Sequence, residues 1–314
     1  MTTDAASSTT RLPKRRLGCT GKMVTELGLG GAGLNHLYGK PNDDAQAIAC
    51  VHRALELGIN YIDTSPLYGE SERRIGRALA ESGRRADVVL ATKTGTGTRP
   101  HDYTRDGTLR SVEKSLRLLQ TDYLDLLQVH DPVGDEIEAV FAPHGALETL
   151  VELKEQGVIG GIGIGVRDHP FLLRAIHDGR FDTILTYADF NPARQTARET
   201  LFGPAAENDV AIILGSPLLF GYLSDRPWPD LLHEHGDDGW GKEAQAAKCV
   251  RDFADRYQIS SLQLALQYAL REPRLSTVLV GVASADEIEQ NVRAATTPLP
   301  DTIWTALTEE LDVR

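Results

Sequence analysis

Four residues stand where proton chemistry needs them: Asp63, Tyr68, Lys93 and His130. Asp63 closes the short apolar run Tyr61-Ile62-Asp63, and Tyr68 follows in the loop Thr64-Ser65-Pro66-Leu67-Tyr68-Gly69. The run Val88-Val89-Leu90-Ala91-Thr92-Lys93 ends in a lysine, and Tyr123-Leu124-Asp125-Leu126-Leu127-Gln128-Val129-His130 ends in a histidine. Taken singly, each has a plain structural role: a turn cap, a solvated cation, a packed histidine. Taken together they form a working set. A free tyrosine has a pKa of about 10, too high for a base at neutral pH. A neighbouring ammonium stabilises the phenolate and lowers that value. Lys93 can supply the ammonium, Asp63 can hold it in place and charged, and His130 can donate to a carbonyl or alcohol oxygen and share the proton with Tyr68. Such a set suits polarising a C–O group while hydride moves to or from its carbon. No side chain carries hydride, so a cofactor must.

This constellation works only if the fold gathers strand ends on one face. Apolar runs at 27–30, 61–63, 88–93, 123–130, 159–164, 183–187, 210–214 and 277–280 read as strands. Between them lie helical patterns: Ile48, Val51 and Leu55 up to Gly58; residues 71–80; Leu109, Val112, Leu116 and Leu119; Leu147, Leu150, Val151 and Leu153 up to Gly157; then 170–177, 197–207, 243–257, 262–270 and 285–295. Most strands are apolar along their length, as parallel strands covered by helices should be. Eight such alternations predict an α/β fold of the (β/α)8 TIM-barrel type, whose usual size is about 250 residues. Residues 15–26 read as an N-terminal β-hairpin, 303–311 as an extra C-terminal helix, 1–12 as a disordered tail, and 13–314 as one barrel domain. A Pro/Gly/Asp-rich stretch, 216–241, reads as a long loop, a candidate lid.

The rival is a doubly wound sheet, because Gly28-x-Gly30-x-x-Gly33 matches a dinucleotide fingerprint. Its context fails: a loop follows instead of a helix, and no acidic residue arrives at the expected distance. A glycine-rich loop at a barrel mouth, where backbone approaches a ligand closely, accounts for it better.

The chain has 314 residues, 41% hydrophobic and 25% charged, and a net charge of -12. The charge argues against nucleic-acid and anionic-membrane partners. Cys19, Cys50 and Cys249 form no paired motif, which points to reduced cytoplasmic thiols. No apolar run reaches the roughly 18 residues of a membrane span. His233-Glu234-His235 has metal-like composition without a third ligand in sight, so no metal is expected. Asp168, in Arg167-Asp168-His169, is read as a helix cap rather than a substrate contact.

Over nearly its whole length the chain resembles the aldo-keto reductase superfamily. Asp63-Thr64-x-x-x-Tyr68-Gly69, Lys93 and His130 match that family's Asp-Tyr-Lys-His tetrad in order and spacing, and Leu27-Gly28-Leu29-Gly30, residues 122–130 and Gly215-Ser216-Pro217-Leu218 resemble family stretches. The resemblance implies an NAD(P) cofactor extended across the barrel mouth. It implies that tyrosine moves the proton, lysine and aspartate tune it, and histidine orients the substrate. It assigns the cofactor to Gly31, Ala32, Asp63, Gly165, Ser216, Pro217, Leu218, Gly221, Gly281, Ala283, Glu287, Gln290 and Asn291.

The departures bear on substrate and cofactor. Gly165-Val166-Arg167-Asp168 stands where many members carry Ser-Asn, and Gly215 where many carry a tyrosine that stacks on nicotinamide. These features, with His130-Asp131-Pro132, are similar to the branch of aldose dehydrogenases acting on L-fucose, D-threo-aldoses or L-galactose, and to pyridoxal 4-dehydrogenase. That branch implies oxidation of a cyclic hemiacetal to a lactone. Cations that grip a 2′-phosphate in NADP-dependent relatives are missing near Gly281, and Glu287 is an anion, so NAD is expected over NADP. Ser284-x-x-Glu287 also reads as a capping box, which is compatible. The alternatives are an NADPH-dependent aldehyde or ketone reductase, a non-catalytic nucleotide-binding barrel and a metal-assisted hydrolase. The sequence assigns no particular sugar and no oligomeric state.

Overall fold

The computed structural model describes residues 12–35, 43–97, 100–235, 241–311 and 313. Among the described residues there are ten strands: β1 (Lys14–Arg16), β2 (Met23–Thr25), β3 (Leu27–Gly30), β4 (Tyr61–Asp63), β5 (Val89–Thr94), β6 (Leu126–His130), β7 (Ile162–Gly165), β8 (Thr183–Tyr187), β9 (Ala211–Gly215) and β10 (Leu275–Gly281). β1 and β2 pair antiparallel as the expected hairpin, and β3 to β10 close into a parallel barrel, β10 joining both β3 and β9. This is the (β/α)8 TIM-barrel fold.

Helices follow the barrel strands: α1 (Asp44–Glu56), α2 (Ser71–Ser82), α3 (Arg105–Leu119), α4 (Glu136–Phe141), α5 (Ala146–Glu155), α6 (His169–Asp178), α7 (Thr196–Thr200), α8 (Phe202–Glu207), α9 (Trp228–His235), α10 (Gly241–Arg256), α11 (Ser261–Leu270), α12 (Ala285–Thr296) and α13 (Asp301–Leu311). Several start on the cap their sequence offers. Asp43 accepts the Gln46 amide in a full capping box, and Thr104, Asp168, Ser260 and Ser284 each accept the amide three residues on.

Two apolar layers hold the barrel. Outward-facing strand residues such as Ile62, Leu90, Leu127 and Ile164 pack against the helices. Inward-facing Tyr61, Val89, Ala91, Leu126, Leu185, Ala211, Ile213 and Leu279 fill the barrel, with Leu17 and Val24 of the hairpin region in the same cluster. Side chains alternate along a strand, so Asp63, Lys93, Gln128, His130, Tyr187 and Gly215 share the inward parity. Register aligns them: Gly30 pairs with Asp63, Lys93 with Gln128, His130 with Gly165, and Tyr187 with Gly215.

Several expectations need correcting. The stretch 216–241 is not a plain loop: it holds a tight turn over Leu219–Gly221 and then α9. Pro229 in the first turn is compatible with a helix start, and Leu231 is buried, so its Pro/Asp-rich composition concealed a helix. The helix expected over 197–207 is two, divided at Leu201; Pro204 has no amide with which to continue one ladder. The short α4 was not anticipated. Leu12, assigned to the tail, is buried in the core; the rest of that tail lies outside the described residues, as do the side chains of His233, Glu234 and His235.

Candidate active site

The four residues singled out by chemistry meet at the C-terminal mouth of the barrel. They line one cavity of about 810 Å³, within the usual range for ligand sites. Lys93 is 1% exposed and Asp63 3%. The Lys93 ammonium donates to Asp63 Oδ1 and, at 2.8 Å, to the Thr64 carbonyl. It lies 5.2 Å from the centre of the Tyr68 ring. Tyr68 and His130 meet edge to face, ring centres 5.8 Å apart. A buried cation therefore sits beneath the phenol, its charge compensated by Asp63 and the Thr64 carbonyl.

His130 is held as a neutral donor. Burial, then the Lys93 charge, then His101 push its pKa well below the usual histidine value. Its Nδ1 meets Thr96 Oγ1 at 2.5 Å and Ser65 Oγ at 3.1 Å. Ser65 Oγ already accepts the Leu67 amide, so its own proton is free to point at Nδ1. That arrangement favours the tautomer carrying the proton on Nε2. The Tyr103 hydroxyl holds the His130 carbonyl at 2.7 Å. Gly95, with φ of +102°, is what lets Tyr103 reach it, since a Cβ there would stand 2.1 Å from the ring.

Sequence reasoning missed Gln128. Its amide donates to Asp63 Oδ2 at 2.7 Å, so Lys93 and Gln128 occupy both carboxylate oxygens. The signal was present: Gln128 lies two residues before His130 on one strand and so faces the same way. Gly163, paired with Gln128, makes the room; a Cβ there would stand 2.4 Å from Thr183 Oγ1 and 2.8 Å from Gln128 Cγ. Asp131, Tyr187 and Arg226 also line the cavity. Tyr187 stands beside Gly215, so a ring from β8 borders the space where β9 carries only a glycine.

Every residue assigned to the cofactor lines the same cavity: Gly31, Ala32, Asp63, Gly165, Ser216, Pro217, Leu218, Gly221, Gly281, Ala283, Glu287, Gln290 and Asn291. Two details differ from expectation. Gly31 and Gly33 lack a Cβ because the chain itself crowds them: Ser71 Oγ and the Val282 carbonyl would each stand 2.6 Å away. Glu287 completes only half of the capping box, for its carboxylate accepts the Ala283 amide at 2.8 Å rather than the amide of Ser284. Asp168 caps α6 as read, while Arg167 turns to Asp189 and Glu243.

A barrel with a buried lysine–aspartate pair under a phenol and a neutral imidazole at its mouth defines an oxidoreductase site of the kind that works on a C–O bond. The chain belongs to the aldo/keto reductase family, whose model matches residues 26–312, and it is an NAD(P)-dependent oxidoreductase. It is 32% identical to L-galactose dehydrogenase of Arabidopsis thaliana, over 91% of this chain and 89% of that one. It is 29% identical to pyridoxal 4-dehydrogenase of Microbacterium luteolum, over 95% and 97%. Among solved structures, an aldo-keto reductase from Bacillus halodurans in its holo form superposes with a TM-score of 0.79 at 30% identity, covering 95% of this chain and 96% of that one.

Proposed function

We propose that the protein oxidises the hemiacetal carbon of a cyclic aldose, or of pyridoxal, to a lactone, with NAD preferred over NADP. The observation that carries this reading is the buried Lys93–Asp63 pair beneath Tyr68, in one cavity with neutral His130. The likeness to L-galactose and pyridoxal dehydrogenases supports oxidation over reduction.

The residues present fit a dinucleotide. The cavity runs past backbone-lined positions at Gly281, where a Cβ would meet nothing within 4 Å, to the N-terminus of α12. A helix start favours a diphosphate, and Arg226 adds a cation to the lining. Gly31, Ala32, Ser216, Pro217, Leu218, Gly221 and Ala283 would bound the cofactor, and Gly165 the nicotinamide end. Glu287, with Gln290 and Asn291, would face the adenosine ribose. The anion at Glu287 favours ribose hydroxyls over a 2′-phosphate. When bound, nicotinamide supplies the hydride acceptor.

The chain's own residues do the rest. His130 donates from Nε2 to the substrate oxygen and holds it beside Tyr68. Lys93 stabilises the Tyr68 phenolate, which takes the hydroxyl proton. Asp63, fixed by Gln128, keeps Lys93 charged and aimed. The unpaired cysteine thiols and the net charge of -12 suit a cytoplasmic enzyme of small molecules without nucleic-acid or membrane partners. No helix among the described residues is long and apolar enough to cross a membrane.

The test is a panel of aldoses and pyridoxal with NAD and with NADP, followed at the NADH band. Oxidation with kcat/KM favouring NAD is expected. Turnover only of simple aldehydes with NADPH would replace this reading with a reductase.

A further inference from the structure

Asp131 follows His130 at the tip of β6, and nothing in the proton chemistry above uses it. Its backbone has φ of +40°, in the left-handed region that non-glycine residues rarely adopt. Its amide donates to the Gly165 carbonyl at 2.8 Å, which anchors that conformation to the neighbouring strand. Strain of this kind at a strand tip is retained where a side chain must be aimed. The carboxylate lines the cavity and is 31% exposed, and its one ion-pair contact among the described residues is with the imidazole beside it. Oδ1 takes the Tyr187 hydroxyl at 3.3 Å. Oδ2 takes no hydrogen bond among the described residues; its neighbour is His130 Nε2 at 3.5 Å, too long for a good bond. A donor and an acceptor thus stand side by side at the reacting end of the pocket, each with capacity to spare.

We propose that Asp131 is the specificity carboxylate of the substrate pocket: Oδ2 accepts a hydrogen bond from a substrate hydroxyl adjacent to the one that His130 holds. The inference rests on the proposed oxidation of a cyclic hemiacetal and narrows its substrate class to polyols with neighbouring hydroxyls. The physical reason is selection in both directions. A hydroxyl donor repays the desolvation of a partly buried carboxylate, and a charge-assisted bond is among the stronger ones. A plain aldehyde or ketone places carbon against Oδ2 and leaves it unpaired, which is how a polar pocket rejects an analogue lacking a hydroxyl. Burial already pushes the Asp131 pKa up from the ordinary carboxylate value, in keeping with a group that gains from an added donor. Tyr187 fixes the carboxylate from its other oxygen, so it is the positioning residue for Asp131.

The experiment crosses substrates with variants. Wild type, Asp131→Asn and Asp131→Ala are assayed with NAD on the best aldose and on its monodeoxy analogues, with thermal unfolding as the check on folding. One deoxy analogue is expected to lose roughly 10- to 100-fold in wild-type kcat/KM, mostly through KM. Asp131→Asn is expected to lose a similar factor on the parent sugar, but to stay within about threefold of wild type on that same analogue, because the contact is already absent. Equal losses on both sugars in the folded variants would overturn the proposal. So would a wild type in which no deoxy analogue loses more than about threefold, a result that needs no variant to fold. A wild type that oxidises pyridoxal but no aldose would overturn this inference and leave the hemiacetal reading standing; one that oxidises neither would overturn both.

Discussion

The Asp63 carboxylate is gripped at both oxygens, by the Lys93 ammonium on Oδ1 and by the Gln128 amide on Oδ2 at 2.7 Å, and all three residues are buried. Two of these partners come from neighbouring strands whose register sets Lys93 opposite Gln128. The consequence is an ion pair without freedom to rotate: Lys93 cannot swing from beneath Tyr68 without leaving a buried anion behind.

Removing Lys93 should therefore cost stability as well as turnover. Lys93→Met is expected to lower unfolding free energy by about 3 kcal/mol, since breaking a buried pair strands its partner. Asp63→Asn keeps the shape but replaces one of the two accepting oxygens with a donor and leaves buried Lys93 without its counter-charge, so a similar loss of stability is expected beside a loss of about 100-fold or more in kcat. Denaturant titration beside steady-state kinetics checks both. A Lys93→Met variant as stable as wild type would show that the pair does not hold the mouth together.

Tyr68→Phe removes only the hydroxyl. A loss of roughly 100- to 10,000-fold in kcat is expected, with NAD affinity by fluorescence titration nearly unchanged. Turnover left intact would show that Tyr68 is not the group that moves the proton.

Gln128→Leu should leave the barrel folded and reduce kcat by about 10-fold, with the pH profile of kcat displaced, because Asp63 would lose its second anchor. Gly163→Ala acts on the same bond from behind. The added Cβ meets Thr183 Oγ1 and Gln128 Cγ, so destabilisation of about 1–3 kcal/mol is expected, with a kcat loss in the direction of Gln128→Leu. A melting curve and kinetics on both variants settle whether they share a cause.

His130 gives a pH signature in stability. Its folded pKa is depressed, so the unfolded chain binds the extra proton first as pH falls. Its contribution is present above about pH 6.5, the unfolded value, and is lost as pH drops below it. Asp131, whose folded pKa is raised, acts with the opposite sign at lower pH, above the unfolded carboxylate value. The difference in melting temperature between wild type and His130→Gln should thus shift against wild type as pH falls from 7 toward 5. A difference independent of pH over that range would contradict a buried neutral imidazole.

Much of this molecule was legible in its chain. Apolar runs alternating with helical faces gave the barrel, and the identities of the residues ending three successive runs gave the Asp, Lys and His at its mouth. Boundaries were less legible: β6 begins at Leu126 rather than at 123, and β7 at Ile162 rather than at 159, since apolar residues leading into a strand look like the strand. The helix Trp228–His235 lay hidden in a composition that reads as loop.

What the sequence determined alone was the order of strand tips and the chemistry each delivers, because those depend on residue type and local periodicity. What only the tertiary structure decided was which side chains face inward together. Barrel strands are apolar on both faces, so their alternation is nearly silent in the sequence. Closure and register then supply it: they put the Gln128 amide on Asp63 and Tyr187 beside Gly215, while the left-handed backbone of Asp131 aims its carboxylate back alongside His130.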